Sequence, residues 1–128
     1  MRIDRLDHFV LTVADIEETV RFYRDVLGMR PETFGAGRIA LRFGNSKINL
    51  HQRGREFEPK AERPEPGSAD LCFIVDEPVA DVLRELSEAG IAVEEGPVER
   101  TGATGTILSC YLRDPDGNLI ELSNYRPI

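Results

Sequence analysis

Four residues whose side chains can ligate a metal ion lie inside otherwise apolar segments of the chain. They are His8 in RLDHFVLTV, His51 in KINLHQ, Asp70 in ADLCFIV and Glu121 in NLIELSNY. The chain contains 2 histidines, so both belong to this group. An imidazole or carboxylate inside a strand is costly to bury unless it is hydrogen-bonded, paired with a charge or bound to a metal. The four residues therefore indicate a candidate metal site.

Two imidazoles and a carboxylate form a ligand set that suits Fe(II), Mn(II), Co(II), Ni(II) or Zn(II). Coordination positions that remain open on such an ion would take water or a small-molecule substrate. The plainer interpretation makes His8 a hydrogen-bonded strand residue and lets Asp70 begin its strand after the PGS turn. The metal interpretation is favoured because all four residues lie in the opening or closing strand of a repeated module.

The two halves of the chain are related by an internal repeat. DHFVLTV aligns with ADLCFIV at an offset of 62 residues, and the same offset places Gly28 on Gly90. Near the ends of the halves, INLH aligns with LIEL when His51 is set against Glu121 or a neighbouring position. The repeat predicts two modules with the same order of helices and strands.

Local signals predict the elements of each module. Asp15 and Glu18 form a capping box for a first helix, and Gly28 ends that helix. Pro78 lies in the first turn of a second helix that runs to about residue 89. We expect strands over residues 5–13, 30–34, 38–43, 47–52, 69–75, 107–113 and 118–123, and a short strand or extended segment over 91–96. A glycine-rich loop is expected over 94–105.

The predicted fold class is α+β, with two βαβββ modules that form a curved, incompletely closed mixed sheet and helices outside it. A chain of 128 residues is long enough for one domain with a sizeable core. Module one is expected over residues 4–53, the linker over 54–68 and module two over 69–125.

Composition and charge exclude several function classes. The net charge of −7 argues against nucleic acid and anionic membranes as partners. No apolar run approaches the roughly 20 residues of a membrane helix, and the N-terminus has no signal-peptide pattern. We therefore expect a cytoplasmic protein. Cys72 and Cys110 are expected to be free thiols in strands.

The chain resembles the vicinal oxygen chelate superfamily, which includes glyoxalase I, methylmalonyl-CoA epimerase, fosfomycin-resistance enzymes and extradiol dioxygenases. The resemblance covers almost the entire chain. It is carried by LDHFVLTV, FYRDVLGM and YLRDPDGNLIELSNY, of which DPDGNLIEL is the most specific. INLH, GREFEPKA, PGSADLCFIV and EEGPVERTGATG are similar to the glyoxalase-domain-containing protein 5 group. Bacterial members of that group are named as virulence or dioxygenase-related proteins.

This resemblance implies metal ligands at His8, His51 and Glu121, in the opening strand of module one and the closing strands of both modules. The opening strand of module two often carries a histidine ligand in the superfamily, and this chain has Asp70 there. Asp70 could be a fourth ligand, a catalytic base or a residue that supports a ligand. The shared chemistry of the superfamily is bidentate chelation of substrate oxygens, which stabilises a developing oxyanion or enolate.

Several activities stay open at this point. A glyoxalase-like lyase or isomerase needs a carboxylate, Glu121 or Asp70, to move a proton beside a carbonyl. An extradiol-type dioxygenase needs an Fe(II) site of two histidines and a carboxylate. A fosfomycin-type transferase needs an anion pocket, for which Arg42, Arg100 and Arg113 are candidates. An antibiotic-binding or other small-molecule-binding protein needs none of these groups. We expect the lyase or isomerase.

Further residues are expected around the site. Strand alternation suggests that the substrate is lined by Asn49, Ser109, Tyr111 and Arg113. Phe57 is expected to anchor GREFEPKA over one mouth of the site. The superfamily resemblance also implies a homodimer.

Overall fold

The computed structural model describes residues 1–127 of the chain and divides them into two compact units. The first unit spans Met1–Gly67, and the second begins at Ser68. No helix in the described residues is long and apolar enough to cross a membrane.

The first unit is a four-stranded mixed sheet with one helix. Its elements are β1 (His8–Val13), α1 (Ile16–Asp25), β2 (Arg30–Phe34), β3 (Arg38–Phe43) and β4 (Ser46–Gln52). The strand order is β1-β4-β3-β2, in which β1 and β4 run parallel and the other pairs antiparallel. The opening and closing strands of the unit are therefore hydrogen-bonded neighbours.

Helix α1 forms where the sequence predicts it. The Asp15 side chain caps it by accepting a 3.1 Å hydrogen bond from the backbone N–H of Glu18. Gly28 adopts a φ of +70°, which lets the chain leave the helix in a conformation that other residues rarely adopt. The fully buried Tyr23 of α1 belongs to the same core as Leu41 and Ile48 of the sheet.

The second unit repeats this arrangement. Its elements are β5 (Asp70–Ile74), α2 (Val79–Glu88), β6 (Glu95–Thr101), β7 (Thr106–Arg113) and β8 (Leu119–Tyr125). The strand order is β5-β8-β7-β6, and β5 runs parallel to β8. Helix α2 has no capping side chain of its own, so the Asn124 side chain in β8 accepts a 2.7 Å hydrogen bond from Val79 N–H. The predicted α+β fold of two βαβββ modules with open mixed sheets is confirmed.

The predicted loop over residues 94–105 is wrong for most of its length. Glu95–Thr101 forms β6, which pairs with β7, and only residues 102–105 connect the two strands. Gly96 permits the pairing because a Cβ at this position would lie 2.7 Å from the Cα of Cys110. The pairing register shifts between Glu95 and Val98, and β6 is an edge strand, where a proline is tolerated.

Candidate functional site

The strand register of the second unit places a carboxylate between a thiol and a phenol. Glu121 in β8 lies opposite Cys72 of β5 on one side and Tyr111 of β7 on the other. Residues that pair in register point to the same face of a sheet. Ser109 and Ser123, which pair with each other, lie on this face beside them. The face of the second sheet that points away from helix α2 therefore carries a cluster of polar side chains.

Two buried serines hold the Glu121 carboxylate. Ser109 Oγ donates a 2.6 Å hydrogen bond to Glu121 Oε2 and lies 2.7 Å from Ser123 Oγ. Ser123 Oγ in turn lies 3.3 Å from Cys72 Sγ. Both serines are fully buried, whereas Glu121 is half-buried. One carboxylate oxygen is thus fixed by the protein.

Tyr111 and Arg100 complete the polar surroundings of Glu121. Arg100 Nε donates a 3.1 Å hydrogen bond to the Tyr111 hydroxyl, and its Nη2 lies 3.1 Å from Glu95 Oε1. Burial raises the pKa of the Tyr111 phenol, and the Glu121 carboxylate raises this pKa further. The phenol therefore stays protonated at neutral pH and can act as a hydrogen-bond donor.

These groups line a cavity of about 460 Å³ within the second unit. Its volume falls in the range of small-molecule sites, and its walls combine apolar side chains with a few polar ones. The lining residues are Cys72, Ile74, Arg100, Thr101, Gly102, Ala103, Ile107, Tyr111, Glu121 and Tyr125. A carboxylate, a phenol and a guanidinium at one cavity can accept a proton from a bound molecule and donate hydrogen bonds to its oxygens.

The two thiols differ in exposure, and this difference predicts their reactivity. Cys110 is fully buried, and burial raises its pKa to about 11, whereas Cys72 is exposed. Because the thiolate is the reactive form, we expect iodoacetamide to alkylate Cys110 at least about ten-fold more slowly than Cys72 in the folded protein. Peptide mass spectrometry would measure both rates, and unfolding in urea should make them equal. Equal rates in the folded protein would contradict this description.

In the first unit, His8 lies at the exposed start of β1. Its Nδ1 donates a 2.7 Å hydrogen bond to Asp7 Oδ2, and its side chain is 43% exposed. This hydrogen bond lowers the pKa of the Asp7 carboxyl. The predicted ligand is therefore accessible, and its partner in this unit is an adjacent carboxylate.

His51 lies in different surroundings from His8. The residue is 2% exposed, and its Nε2 accepts a 3.3 Å hydrogen bond from Arg38 Nη2. Its ring makes an edge-to-face contact with Phe57, with the ring centroids 5.7 Å apart. Burial lowers the pKa of this imidazole, and the Arg38 guanidinium lowers it further. His51 is therefore neutral at pH 7, with its Nε2 occupied by a cationic side chain.

The first unit does not bring the two imidazoles together. His8 lies opposite Lys47, and His51 lies opposite Thr12, in the parallel pairing of β1 with β4. These two pairs lie four residue steps apart along the strands, which is about 13 Å. Ligands of one ion each lie about 2.1 Å from it. The arrangement of the first unit therefore does not support the prediction that His8 and His51 bind the same metal ion.

The register also refines the alignment of the two modules. His8 pairs with Lys47, and its repeat counterpart Asp70 pairs with Leu119. The residue that occupies the place of Glu121 in the first unit is therefore Asn49, and the counterpart of His51 is Ser123. The sequence alignment that set His51 against Glu121 is therefore two residues out of register. Because side chains alternate along a strand, His51 and the true counterpart of Glu121 still point to the same face.

The remaining predicted residues lie in varied places. Asp70 is exposed at the start of β5, on the same face as Glu121. Arg113 makes a two-pronged ion pair with Glu94, at 3.1 and 2.9 Å. Asn49 is 4% exposed, and its Oδ1 is buried without a hydrogen-bond partner. Within either unit, the described residues form no group of three or more His, Cys, Asp and Glu side chains suited to a metal.

All three arginines proposed for an anion pocket form ion pairs with carboxylates. Arg42 pairs with Glu32 at 2.6 Å, and Arg100 and Arg113 pair with Glu95 and Glu94. Arg38, which sequence reasoning missed, forms no ion pair with a carboxylate of residues 1–127. Alternation in RIALRF puts Arg38 and Arg42 on one face, but the sequence does not indicate which of them has a partner.

Comparison with known proteins gives consistent matches along the chain. The family described as Glyoxalase/Bleomycin resistance protein/Dioxygenase superfamily matches residues 5–122. The chain is 65% identical over 125 residues to virulence protein STM3117 of Salmonella typhimurium (strain LT2). The aligned region covers 98% of this chain and 87% of that protein. The crystal structure of that protein matches with a TM-score of 0.97 and 64% identity, covering 98% of this chain and 100% of the other.

Two further relatives match most of the chain. The glyoxalase domain-containing protein RDO1 of Mycosarcoma maydis is 57% identical over 126 residues, covering 98% of this chain and 71% of that protein. A lactoylglutathione lyase of Neisseria meningitidis is 30% identical over 125 residues, covering 91% and 88%. The matches extend over nearly the full length of both modules.

Proposed function

The chain belongs to the glyoxalase/bleomycin resistance protein/dioxygenase superfamily, and on this premise we propose that it is an enzyme of the lyase or isomerase type. It would move a proton on a small oxygenated substrate. The observation that carries the proposal is that Glu121 lines the 460 Å³ cavity of the second unit while Ser109 fixes its Oε2. The similarity to a protein named lactoylglutathione lyase supports this type of chemistry.

The roles of the residues follow from their surroundings. Ser109 holds Glu121 Oε2, and in this proposal the carboxylate takes a proton from a carbon beside a carbonyl of the substrate. Tyr111 keeps its proton and would donate a hydrogen bond to a substrate oxygen, and Arg100 orients the Tyr111 hydroxyl. Asp70, on the same face but exposed, is the alternative base.

A divalent metal ion is also part of the proposal, on the ground of the superfamily resemblance. The ligand set implied by it is His8, His51 and Glu121, which come from both units. The residues within either unit do not supply a three-ligand group, and Arg38 occupies His51 Nε2. We therefore assign no catalytic step to a metal and treat its presence as a separate prediction.

Metal analysis tests that prediction. After anaerobic loading of untagged protein with Fe(II), and in parallel with Mn(II), Co(II), Ni(II) and Zn(II), we expect about one ion per chain. His8→Ala, His51→Ala and Glu121→Gln should each lose metal with the fold retained. Glu94→Gln, which alters an exposed carboxylate paired with Arg113, is the matched control.

The outcomes separate the individual ligands. A variant that binds metal as tightly as the parent removes its residue from the ligand set. Unchanged metal binding by His51→Ala would leave His8 and Glu121 as the proposed ligands, in keeping with the separation of the two imidazoles in the β1–β4 register. No bound metal in any form would leave proton transfer to the protein groups alone.

An activity screen tests the enzyme proposal. Adducts of 2-oxoaldehydes with thiols serve as substrates for the lyase, and catechols with an oxygen electrode test the dioxygenase. Turnover of an adduct supports the proposal, and oxygen uptake on catechols without adduct turnover would replace it. Small-molecule binding without turnover is the second candidate function, which the aromatic and apolar cavity walls favour.

The proposed assembly is a homodimer, as the superfamily resemblance implies. We propose that the chain binds a small molecule and binds neither nucleic acid nor a membrane. Sedimentation velocity would show a dimer mass if this assembly is correct and a monomer mass if it is not.

A further inference from the structure

One guanidinium in the first unit lies between two aromatic rings. The Arg38 Cζ lies 5.1 Å from the centroid of Phe34 and 4.9 Å from that of Phe57. Contacts of this kind hold a cation over a ring face and restrict its side-chain rotamers. Phe34 belongs to β2, whereas Phe57 lies in the segment between β4 and β5 that has no helix or strand. Arg38 is therefore held in place by apolar groups.

The hydrogen-bonding capacity of Arg38 is not satisfied. Its Nη2 donates to the neutral His51, but its Nε is buried without a partner. Arg38 itself is half-buried, but a buried N–H without an acceptor costs free energy. The other arginine on this face of β3, Arg42, has Glu32 as its counter-ion. Among the described residues, Arg38 thus has no carboxylate partner, whereas Arg42 has Glu32.

A second unsatisfied group lies beside Arg38. Asn49 is only 4% exposed, and its Oδ1 has no hydrogen-bond partner. Asn49 pairs with Ala40 in the register of β3 with β4, two residues from Arg38 and on the same face. Cα atoms in such diagonal positions lie about 7–8 Å apart. An unmet donor and an unmet acceptor therefore belong to neighbouring side chains on one face of the sheet.

We propose that Arg38 and Asn49 bind a 2-hydroxycarboxylate, or the same group within a larger molecule. The carboxylate would accept hydrogen bonds from Arg38 Nε and a second guanidinium N–H, which is the two-pronged geometry that arginine favours. The adjacent hydroxyl would donate to Asn49 Oδ1.

The ligand reaches this site by displacement of Phe57. That ring covers one face of the guanidinium, is 40% exposed, and belongs to a segment without regular structure. Ring displacement exposes Arg38 Nε without disturbing the hydrogen bonds of the sheet. The binding site goes beyond the proposed function and does not depend on the chemistry of Glu121.

Calorimetric titration of the full chain tests the proposal with three probes, namely lactate, acetate and inorganic phosphate. We expect lactate to bind about five-fold more tightly than acetate, because acetate leaves Asn49 Oδ1 unpaired. Phosphate should bind more weakly than lactate. In Asn49→Leu, lactate and acetate should bind equally.

Arg38 variants test the charge. Arg38→Met fills the space between the rings without the guanidinium and should weaken lactate binding by about ten-fold or more. Arg38→Lys keeps the charge but loses the planar fork and should also weaken it. Arg42→Met is the matched control from the same strand face and should bind lactate as the parent does. Circular dichroism verifies that each variant is folded.

Three results would overturn the proposal. They are equal binding of lactate and acetate by the parent, binding of phosphate above lactate, and unchanged lactate binding by Arg38→Lys or Arg38→Met. The comparison of lactate with acetate uses the parent protein, so it holds even if a variant does not fold.

Discussion

Glu121→Gln should lower turnover by about a hundred- to ten-thousand-fold, because the amide cannot accept the substrate proton. Glutamine has nearly the same shape, and its carbonyl oxygen can still accept the hydrogen bond from Ser109 Oγ. The fold and the 460 Å³ cavity should therefore be retained. Steady-state kinetics on the most active thiol adduct measure the loss in kcat, and the urea midpoint reports the fold.

Glu94→Gln is the control for this substitution, because Glu94 is a carboxylate that does not line the cavity. It should keep the turnover of the parent. If Glu121→Gln turns over the adduct as fast as the parent and Asp70→Asn does not, the base is Asp70. If neither variant loses activity, neither carboxylate is the base.

Asp114→Ala should lower the free energy of unfolding by about 3 kcal/mol, because several buried donors lose their acceptor. Asp114 is 5% exposed, and its Oδ1 accepts 2.9 Å hydrogen bonds from the backbone N–H groups of Asp116 and Asn118. Its Oδ2 accepts a 2.7 Å hydrogen bond from Asn118 Nδ2. Asn118 Oδ1 then accepts one of 2.8 Å from Ala69 N–H, just before β5. Urea unfolding followed by circular dichroism measures the loss.

Asp76→Ala is the matched control, since Asp76 is an exposed aspartate in the connection that follows β5. It should change the free energy of unfolding by less than about 0.5 kcal/mol. A loss that small in Asp114→Ala would show that the DPDGN turn does not depend on this carboxylate.

Local patterns predicted most elements of the fold. The Asp15 cap, the helix-ending Gly28 and the DPDGN turn all depend on neighbours within a few residues, so their effect can be read from the sequence. The exception is β6, in which Gly96 and Pro97 suggest a loop. Its pairing depends on close approach to Cys110, which lies fourteen positions later in the chain and cannot be inferred locally.

The candidate site was less predictable than the fold. Glu121 stood out because a carboxylate inside an apolar strand needs a partner, and the structure supplies Ser109. The relation of His8 to His51 depends on the register of β1 with β4, which strand alternation does not determine. Arg38 was missed because its importance depends on which arginine on its sheet face has a carboxylate partner.

Proton transfer by Glu121 can be detected by NMR of the product formed in D2O. Glu121 is half-buried, so its proton exchanges with solvent. We expect the parent to place deuterium on the substrate carbon that receives the proton, and we expect Glu121→Gln to form no such product. Deuterated product formed equally fast by Glu121→Gln, or no turnover of any adduct by the metal-loaded parent, would contradict proton transfer by Glu121.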